Sequence, residues 1–206
     1  MRYVALGDSY TIGSGVPEVE RWPNQLVARV ESLELGGNLA AGGSTSRDVL
    51  EQQLPRLDRM KPEFVTLLVG CNDVAQAVAD WEYAGNVSLI LEELRALLPA
   101  ERILCAATPD HTVTPRGADL ADPMQESDGI VRANAILREA CEGRDIRFVP
   151  DIFEMSQGVM EDPSLVADDG LHPSGRQYAL WVDVIAPVVE DLLSRPGAGR
   201  LLASAP

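Results

Sequence analysis

The chain has few of the residues from which disulfide frameworks and metal sites are built. Its 206 residues include two histidines and three cysteines, and aromatic residues make up 5% of the total. Cys71, Cys105 and Cys141 are odd in number and follow no metal-ligand spacing, so we expect buried free thiols rather than disulfides. No cluster of His and Cys predicts a metal site, and no Gly-x-x-x-x-Gly-Lys or Gly-x-Gly-x-x-Gly motif predicts a nucleotide cofactor.

Positive charge is scarce as well. The chain has 17 Lys and Arg residues against 32 Asp and Glu residues, which gives a formal net charge of −15. A field of that sign repels phosphate backbones and anionic membranes, so a nucleic-acid partner is disfavoured. No apolar run approaches the length that spans a membrane, and the first strand begins without the basic and apolar regions of a secretory signal. We therefore expect a cytoplasmic protein without an integral membrane segment.

Five short stretches have the composition of β-strands, and segments with helical periodicity separate them. The strand candidates are residues 2–9, which end in a Gly-Asp-Ser turn, and residues 37–40, 64–69, 102–106 and 146–149. The helix candidates are residues 22–35, a segment capped by Ser44 or Thr45 in which Pro55 is a candidate break, and residues 84–98, 130–141 and 175–193, the last with a candidate bend at Pro187. This alternation predicts a parallel sheet covered by helices on both faces.

The length of the chain favours one domain. At 206 residues a chain buries enough apolar surface for a single core, and no linker or internal repeat divides the sequence. We expect one domain over residues 1–206, in which only the tail from about residue 196, rich in Gly, Ala and Pro, is loose.

Three residue types needed for acyl transfer occur where a parallel sheet would bring them together. Ser9 follows the first strand, and Asp169 and His172 lie in a segment that precedes the last helix. The carboxyl ends of parallel strands share one edge of the sheet, where open α/β folds bind their ligands. A serine hydroxyl needs a base, and an imidazole oriented by a carboxylate provides one near neutral pH. The chain order Ser, Asp, His is one of the known orders of such a triad.

Four sequence blocks, in order along nearly the whole chain, resemble those of the GDSL or SGNH hydrolase family. They are Gly7-Asp8-Ser9-Tyr10, Asn38-Leu39-Ala40-Ala41-Gly42-Gly43-Ser44-Thr45, Gly70-Cys71-Asn72-Asp73 and Asp169-Gly170-Leu171-His172. The resemblance implies a flavodoxin-like α/β fold, a three-layer α/β/α sandwich with a five-stranded parallel sheet. It also implies that Ser9, Asp169 and His172 form the catalytic triad. The oxyanion hole would then consist of Ser9, Gly43 and Asn72, with Gly42 as the alternative to Gly43.

The residues of these blocks also have structural interpretations. Gly-Asp-Ser is a common strand-to-helix turn, Gly43 fits a helix-entry turn, and Asn72 fits a cap for a helix that begins near Asp73. Asp168 competes with Asp169 for the carboxylate role. The pair His172 and Pro173 fits a plain helix start. The elbow Gly-x-Ser-x-Gly of the usual α/β hydrolases is absent, because Thr11 stands where its second glycine would be.

The second histidine, His111, lies in the polar, Pro-containing stretch of residues 110–129, a type of loop that borders binding pockets. An exposed loop position is the first interpretation of this residue, substrate contact the second and a catalytic base the third. Cys71 is the thiol of most interest because it adjoins Asn72.

The resemblance implies a serine esterase or related acyl hydrolase that acts on small-molecule esters without a cofactor. An acyl-enzyme would form on Ser9, with His172 as general base. The same residues would make an acyltransferase if an acceptor other than water reached the acyl-enzyme. A binding module on the same fold, without turnover, is the alternative from a different class.

Composition also bears on the substrate. Few aromatic residues and a loop 110–129 without a continuous apolar face predict a small acyl pocket. We expect neutral acetyl or butyryl esters to be better substrates than long-chain esters or acyl-CoA, because the net negative charge slows the approach of strongly anionic molecules. A local basic patch that includes Arg47 or Arg116 would offset this effect.

Overall fold

The structure is a computed structural model that describes residues 1–195. Five parallel strands form one sheet in the order β2-β1-β3-β4-β5. The strands are β1 (Arg2–Gly7), β2 (Glu34–Asn38), β3 (Phe64–Leu68), β4 (Ile103–Ala106) and β5 (Arg147–Val149). This strand order is that of flavodoxin-like sheets, so the predicted fold class is confirmed. The tail from about residue 196, which the sequence predicts to be loose, lies outside the described residues.

Helices cover both faces of the sheet and make it the middle of three layers. They are α1 (Ser9–Ile12), α2 (Trp22–Arg29), α3 (Ser46–Asp48), α4 (Leu54–Met60), α5 (Cys71–Ala75), α6 (Asp80–Leu97), α7 (Pro123–Glu142), α8 (Asp151–Ser156) and α9 (Gly175–Ser194). Tyr3 and Ala5 of β1 pack into a core with residues of α2, α8 and α9. Val4 and Leu6 point to the opposite face and pack with residues of α4, α6 and α7.

Burial on both faces explains the apolar composition of the central strands. All five residues of β3 are buried, and such continuous apolar runs are typical of parallel sheets covered on both sides. The three cysteines are buried free thiols, as expected. Among the described residues, no helix is both long and apolar enough to cross a lipid bilayer.

Some element boundaries differ from the prediction because of contacts that sequence patterns do not show. β2 begins at Glu34, three residues before the predicted start at Gly37, since Arg2 pairs with Glu34 across the sheet. The preceding helix therefore ends at Arg29 instead of residue 35. Helix α7 begins at Pro123, seven residues earlier than predicted, because the Asp122 side chain caps it by accepting a hydrogen bond from the Gln125 backbone N–H.

Pro55 does not break its helix. It lies in the first turn of α4, where the proline ring is tolerated. The turn before it, Val49–Gln53, widens into a π-helix. Of the two candidate caps for the segment, Thr45 is the one used: its side chain accepts from the Asp48 N–H, and the Asp48 carboxylate accepts from the Thr45 N–H. The structure also contains three short helices, α1, α5 and α8, in addition to the five that periodicity predicts.

Candidate active site

Ser9 lies at the carboxyl end of the central strand β1, in the first turn of α1. The strand turns sharply at Gly7, whose φ is +148° and whose missing Cβ would lie 2.3 Å from the Leu68 carbonyl oxygen, so only glycine fits. Asp8 caps α1 through a 2.9 Å hydrogen bond from the Tyr10 backbone N–H to its side chain. The N–H of Ser9 belongs to the first helical turn, where backbone donors have no intrahelical partner. The turn therefore presents both the hydroxyl and a free N–H at the sheet edge.

The loop before α9 brings Asp169 and His172 into direct contact. Asp169 Oδ1 accepts hydrogen bonds from the backbone N–H groups of Leu171 and His172, each at 2.9 Å. Its other oxygen, Oδ2, lies 2.6 Å from Nδ1 of the His172 ring. These three contacts fix the carboxylate and direct Nε2, the other ring nitrogen, away from it. Asp169, and not Asp168, is thus the carboxylate that contacts the imidazole.

An aromatic contact holds the His172 ring from the other side. The Tyr10 ring centroid lies 5.5 Å from that of His172 at an interplanar angle of 56°. Tyr10 is buried and packs in turn against Trp181 of α9, with centroids 6.4 Å apart. Tilted aromatic pairs at such distances are favourable. The residue next to Ser9 therefore positions the imidazole.

Asn72 belongs to α5, directly after β3, the strand next to β1. Its Nδ2 donates a 3.0 Å hydrogen bond to the Ser44 carbonyl and lies 3.4 Å from Asp8 Oδ2. The N-cap of α5 is Gly70, with φ +143°, so Asn72 lies inside the helix and not at its cap. The interpretation of Asn72 as a helix cap is therefore wrong, because its amide points across the sheet edge.

Gly43 lies in the turn between β2 and α3, with φ +79°, a conformation that favours glycine. Gly42 has no such requirement, since its φ is not positive. Gly43 does not line the cavity described below, but the next residue, Ser44, accepts the Asn72 hydrogen bond. The structure thus links the Gly43 turn to the other site residues through Asn72.

Ser9, Asn72 and His172 line one cavity of about 220 Å³ at the carboxyl edge of the sheet. Its other lining residues are Tyr10, Cys71, Ala75, His111, Arg116, Gly117, Leu120 and Leu171. Within residues 1–195, the Ser9 hydroxyl forms no hydrogen bond with the His172 ring, a bond that often tightens only when substrate is present. The described residues also include no group of three or more His, Cys, Asp or Glu side chains placed to hold a metal ion.

Carboxylates near the cavity have opposite pKa shifts. Asp8 is fully buried below the serine, and desolvation raises its pKa to about 7, against the lowering effect of hydrogen bonds from Tyr10 and Cys71. For Asp169, desolvation also favours the neutral form, but hydrogen bonds from the ring and backbone of His172 outweigh it and lower the pKa. Asp169 is therefore the charged carboxylate of the site near neutral pH. Burial also raises the pKa of the Cys71 thiol, which keeps it protonated.

The structure contradicts the first interpretation of His111, that of an exposed loop residue. Its side chain is 10% exposed and its Nε2 lies 3.5 Å from Oε1 of Glu126 on α7. It lines the cavity, which leaves substrate contact as the interpretation that fits its position. Desolvation lowers its pKa; the charge of Asp110 opposes this effect and the nearby His172 reinforces it. The exposed interpretation is wrong because residues 123–129, expected to be irregular, form the first turns of α7 and cover the ring.

Sequence reasoning assigned no role to Asp8 or Tyr10, although both flank Ser9. Their positions become meaningful only when the last loop and β3 are placed next to them, since their partners His172 and Asn72 are distant in the chain. The one available signal was the size and aromatic character of Tyr10 beside a candidate nucleophile in a chain with few aromatic residues.

The chain matches the model of the GDSL-like lipase/acylhydrolase family over residues 5–180. It also resembles solved structures in fold. The structure of TesA aligns with a TM-score of 0.71 at 20% identity, covering 93% of this chain and 99% of that one. An acetyl xylan esterase from Geobacillus stearothermophilus, the W215I variant of Axe2, aligns with a TM-score of 0.72 at 16% identity, covering 91% and 94%.

A lipase/acylhydrolase from Enterococcus faecalis aligns with a TM-score of 0.74 at 19% identity, covering 93% of this chain and 96% of that one. At such identities the structural likeness shows the fold alone. No curated protein matches the sequence. The family match spans the strands and loops that carry Ser9, Asn72 and His172, and on this match the chain belongs to the GDSL-like lipase/acylhydrolase family.

Proposed function

We propose that this protein is a serine esterase that cleaves small carboxylic esters through an acyl-enzyme on Ser9. The observation that carries the proposal is the 2.6 Å contact between Asp169 Oδ2 and His172 Nδ1 at the cavity that Ser9 and Asn72 also line. A carboxylate, an imidazole, a hydroxyl and an amide donor are the groups that acyl transfer requires. They come from three segments that are far apart in the chain, since Asp169 and His172 share one loop, and the fold brings them to one edge.

In the proposed first step, Ser9 Oγ attacks the carbonyl carbon of the ester while Nε2 of His172 accepts the hydroxyl proton. Asp169 holds the ring through Nδ1–H and stabilises the imidazolium that results. The negative charge on the carbonyl oxygen is stabilised by the N–H groups of Ser9 and Gly43 and by the Asn72 amide. Collapse of the intermediate releases the alcohol, which takes the proton from His172.

In the second step, water attacks the acyl-enzyme and gives a proton to His172. The tetrahedral intermediate collapses to the carboxylic acid, and the proton returns to Ser9 Oγ. Every proton transfer in this scheme uses the same imidazole, so the contact between His172 and Asp169 serves both halves of the reaction. No group outside the chain and the two substrates is required.

The dimensions of the cavity support a short acyl group. Its volume of about 220 Å³ lies below the roughly 300–1,000 Å³ typical of pockets for drug-sized ligands. The Geobacillus stearothermophilus relative is named an acetyl xylan esterase, and acetyl is an acyl group of the size that this cavity accommodates.

A fluorophosphonate probe tests the proposal directly. The wild-type protein should be labelled at Ser9, with parallel loss of p-nitrophenyl acetate hydrolysis, while Ser9→Ala should be neither labelled nor active. Cys71→Ser is the matched control, because the buried, protonated Cys71 thiol lines the cavity but has no role in the proposed mechanism. Absence of labelling in a folded wild-type protein, or labelling that persists in Ser9→Ala, would show that the site is not a serine esterase.

A further inference from the structure

We propose that the cavity contains an anion subsite at Arg116, and that the preferred substrate is a small ester that carries one carboxylate group. The inference rests on the proposed esterase function and adds a substrate class to it. The charge of the cavity wall, the position of Arg116 and the lack of an ion pair at its guanidinium each support the proposal.

Among residues 1–195, no acidic side chain lines the cavity. The chain has 32 Asp and Glu residues against 17 Lys and Arg residues, yet the eleven lining residues include Arg116 and two histidines and no Asp or Glu. Asp169 lies behind His172 and is engaged by it, and Asp8 is buried below the serine. In a chain that is acidic overall, the wall of this cavity therefore carries one arginine and no carboxylate.

Arg116 is fixed next to the catalytic loop. Its backbone N–H donates a 2.9 Å hydrogen bond to the Gly170 carbonyl. Gly170 has φ +73°, and a Cβ at that position would lie 3.3 Å from Cγ of Arg116. The aliphatic part of the arginine thus packs on the loop between Asp169 and His172, and Arg116 is one of the residues that line the cavity.

The guanidinium has no carboxylate partner among residues 1–195. Arg47, the other basic residue considered from the sequence, pairs with Glu82 at 2.7 Å, whereas the side chain of Arg116 forms neither an ion pair nor a hydrogen bond in that part of the chain. Asp119, in the same loop, is not paired with it either. A guanidinium presents a planar set of donors that matches a carboxylate. Arg116, a residue of the cavity lining, therefore has donors without a partner among the described residues.

His111 lies on the same wall, but burial lowers its pKa, so the fixed positive charge of the wall comes from Arg116. The net charge of −15 comes from charges spread over the whole protein. Salt screens their effect on a substrate when the distance exceeds about 8 Å at physiological ionic strength. A contact between Arg116 and one carboxylate acts at hydrogen-bond distance and is less screened. A singly charged ester gains this contact, whereas polyanionic acyl-CoA still meets the repulsion of the whole surface.

The test compares isosteric ester pairs that differ by one charge. Monoethyl glutarate and ethyl glutaramate place the charge on the acyl side, and acetoxybutyrate and acetoxybutyramide place it on the alcohol side. Hydrolysis is followed by pH-stat at fixed ionic strength for the wild type, Arg116→Gln, Arg116→Lys and Arg138→Gln. Arg138 is the matched control, since it is an exposed arginine on α7 outside the cavity and its removal changes the net charge equally.

We expect Arg116→Gln to lower kcat/KM for the anionic member of one pair by about tenfold or more, mainly through KM, because the lost contact is to a remote group of the substrate. The amide member should change little, Arg116→Lys should lie between, and Arg138→Gln should match the wild type. The pair whose anionic member is affected shows whether the preferred ester carries its carboxylate on the acyl side or on the alcohol side. Equal losses for charged and neutral esters, or no loss in Arg116→Gln, would overturn the subsite. Failure of the wild type to hydrolyse any ester or to be labelled at Ser9 would instead refute the esterase function.

Discussion

The Asn72 side chain and the Ser44 carbonyl form a 3.0 Å hydrogen bond that ties α5 to the turn containing Gly43. The bond uses one proton of the Asn72 amide. Among the described residues, the other acceptor for this amide is Asp8 Oδ2, at the long distance of 3.4 Å. An amide that is held by a strong bond on one side and a weak one on the other is preorganised to donate to a new acceptor.

Replacement of Asn72 by alanine should therefore lower kcat by about 10²–10³, because its donor is most valuable when negative charge forms on the substrate. KM should change much less. Asn86→Ala is the control, since Asn86 donates to Ser46 Oγ and does not line the cavity. Steady-state kinetics on p-nitrophenyl acetate separates the two parameters. An effect confined to KM would show that Asn72 only binds the ground state.

Replacement of the two histidines by alanine should have sharply different effects on kcat. His172→Ala should abolish acyl turnover, as should Ser9→Ala, because each removes a group that carries the transferred proton or the acyl group. His111→Ala should keep most of kcat, since its ring contacts Glu126 at 3.5 Å and lies on the cavity wall. Circular dichroism verifies that each variant is folded. Equal collapse of kcat in a folded His111→Ala variant would contradict the assignment of the base.

Asp169→Asn should lower kcat by an amount comparable to, or smaller than, that of His172→Ala. The variant keeps an oxygen for the two backbone N–H groups but places an amide next to Nδ1, which disfavours the tautomer that has a proton there. Asp168→Asn, at the neighbouring position, should retain nearly full activity. The value of kcat for each variant is measured with saturating p-nitrophenyl acetate. A larger loss of kcat in Asp168→Asn than in Asp169→Asn would mean that Asp168 is the carboxylate that orients His172.

The buried Asp8 predicts a specific pH dependence of stability. Burial raises its pKa from 3.8 in the unfolded chain to about 7 in the folded one. A raised pKa means that the folded state binds the proton more tightly. The stabilisation from this group is therefore complete below the unfolded value and is lost as the pH rises to about 7. The loss amounts to a few kcal/mol at about 1.4 kcal/mol per pKa unit.

Urea unfolding at a series of pH values tests this, with the wild type compared to Asp8→Asn. The difference in unfolding free energy between the two proteins should move in favour of the asparagine variant as the pH rises through this range. The comparison cancels the contribution of carboxylates with lowered pKa values, such as Asp169, which acts in the opposite direction. A difference that stays constant with pH would show that Asp8 does not titrate there.

The sequence was sufficient for features that depend on local pattern. The strand that leads into Ser9 and the short spacing from Asp169 to His172 can be predicted from the sequence, because both are local patterns of a few residues. The burial of His111 was not readable, since it depends on how α7 packs over the loop. The start of β2 could not be predicted either, because it too depends on a contact between distant parts of the chain. Its glycines carry little strand propensity, and pairing with β1 determines its position.

The shape of the site also predicts the response to acyl chain length. Beyond Ala75 and Leu120, which border both spaces, lies a second cavity of about 430 Å³ whose lining includes four charged side chains. They are Asp80, Asp122, Glu126 and Arg132. Each methylene gains roughly 0.8 kcal/mol only when it is buried among apolar groups. Acyl chains that extend past Leu120 should therefore gain little binding energy.

We expect acetyl or butyryl esters of p-nitrophenol to have the highest kcat/KM in a chain-length series at fixed ionic strength, with long-chain esters and acyl-CoA cleaved more slowly. Leu120→Ala should enlarge the first cavity by the volume of the lost side-chain atoms and move the optimum to slightly longer chains, still short of the length that reaches the charged lining of the second cavity. Leu97→Ala, a change at an exposed leucine of α6 that lines neither cavity, should leave the optimum unchanged. An optimum at decanoyl or longer in the wild type, or faster cleavage of acyl-CoA than of butyryl esters, would refute the small acyl pocket.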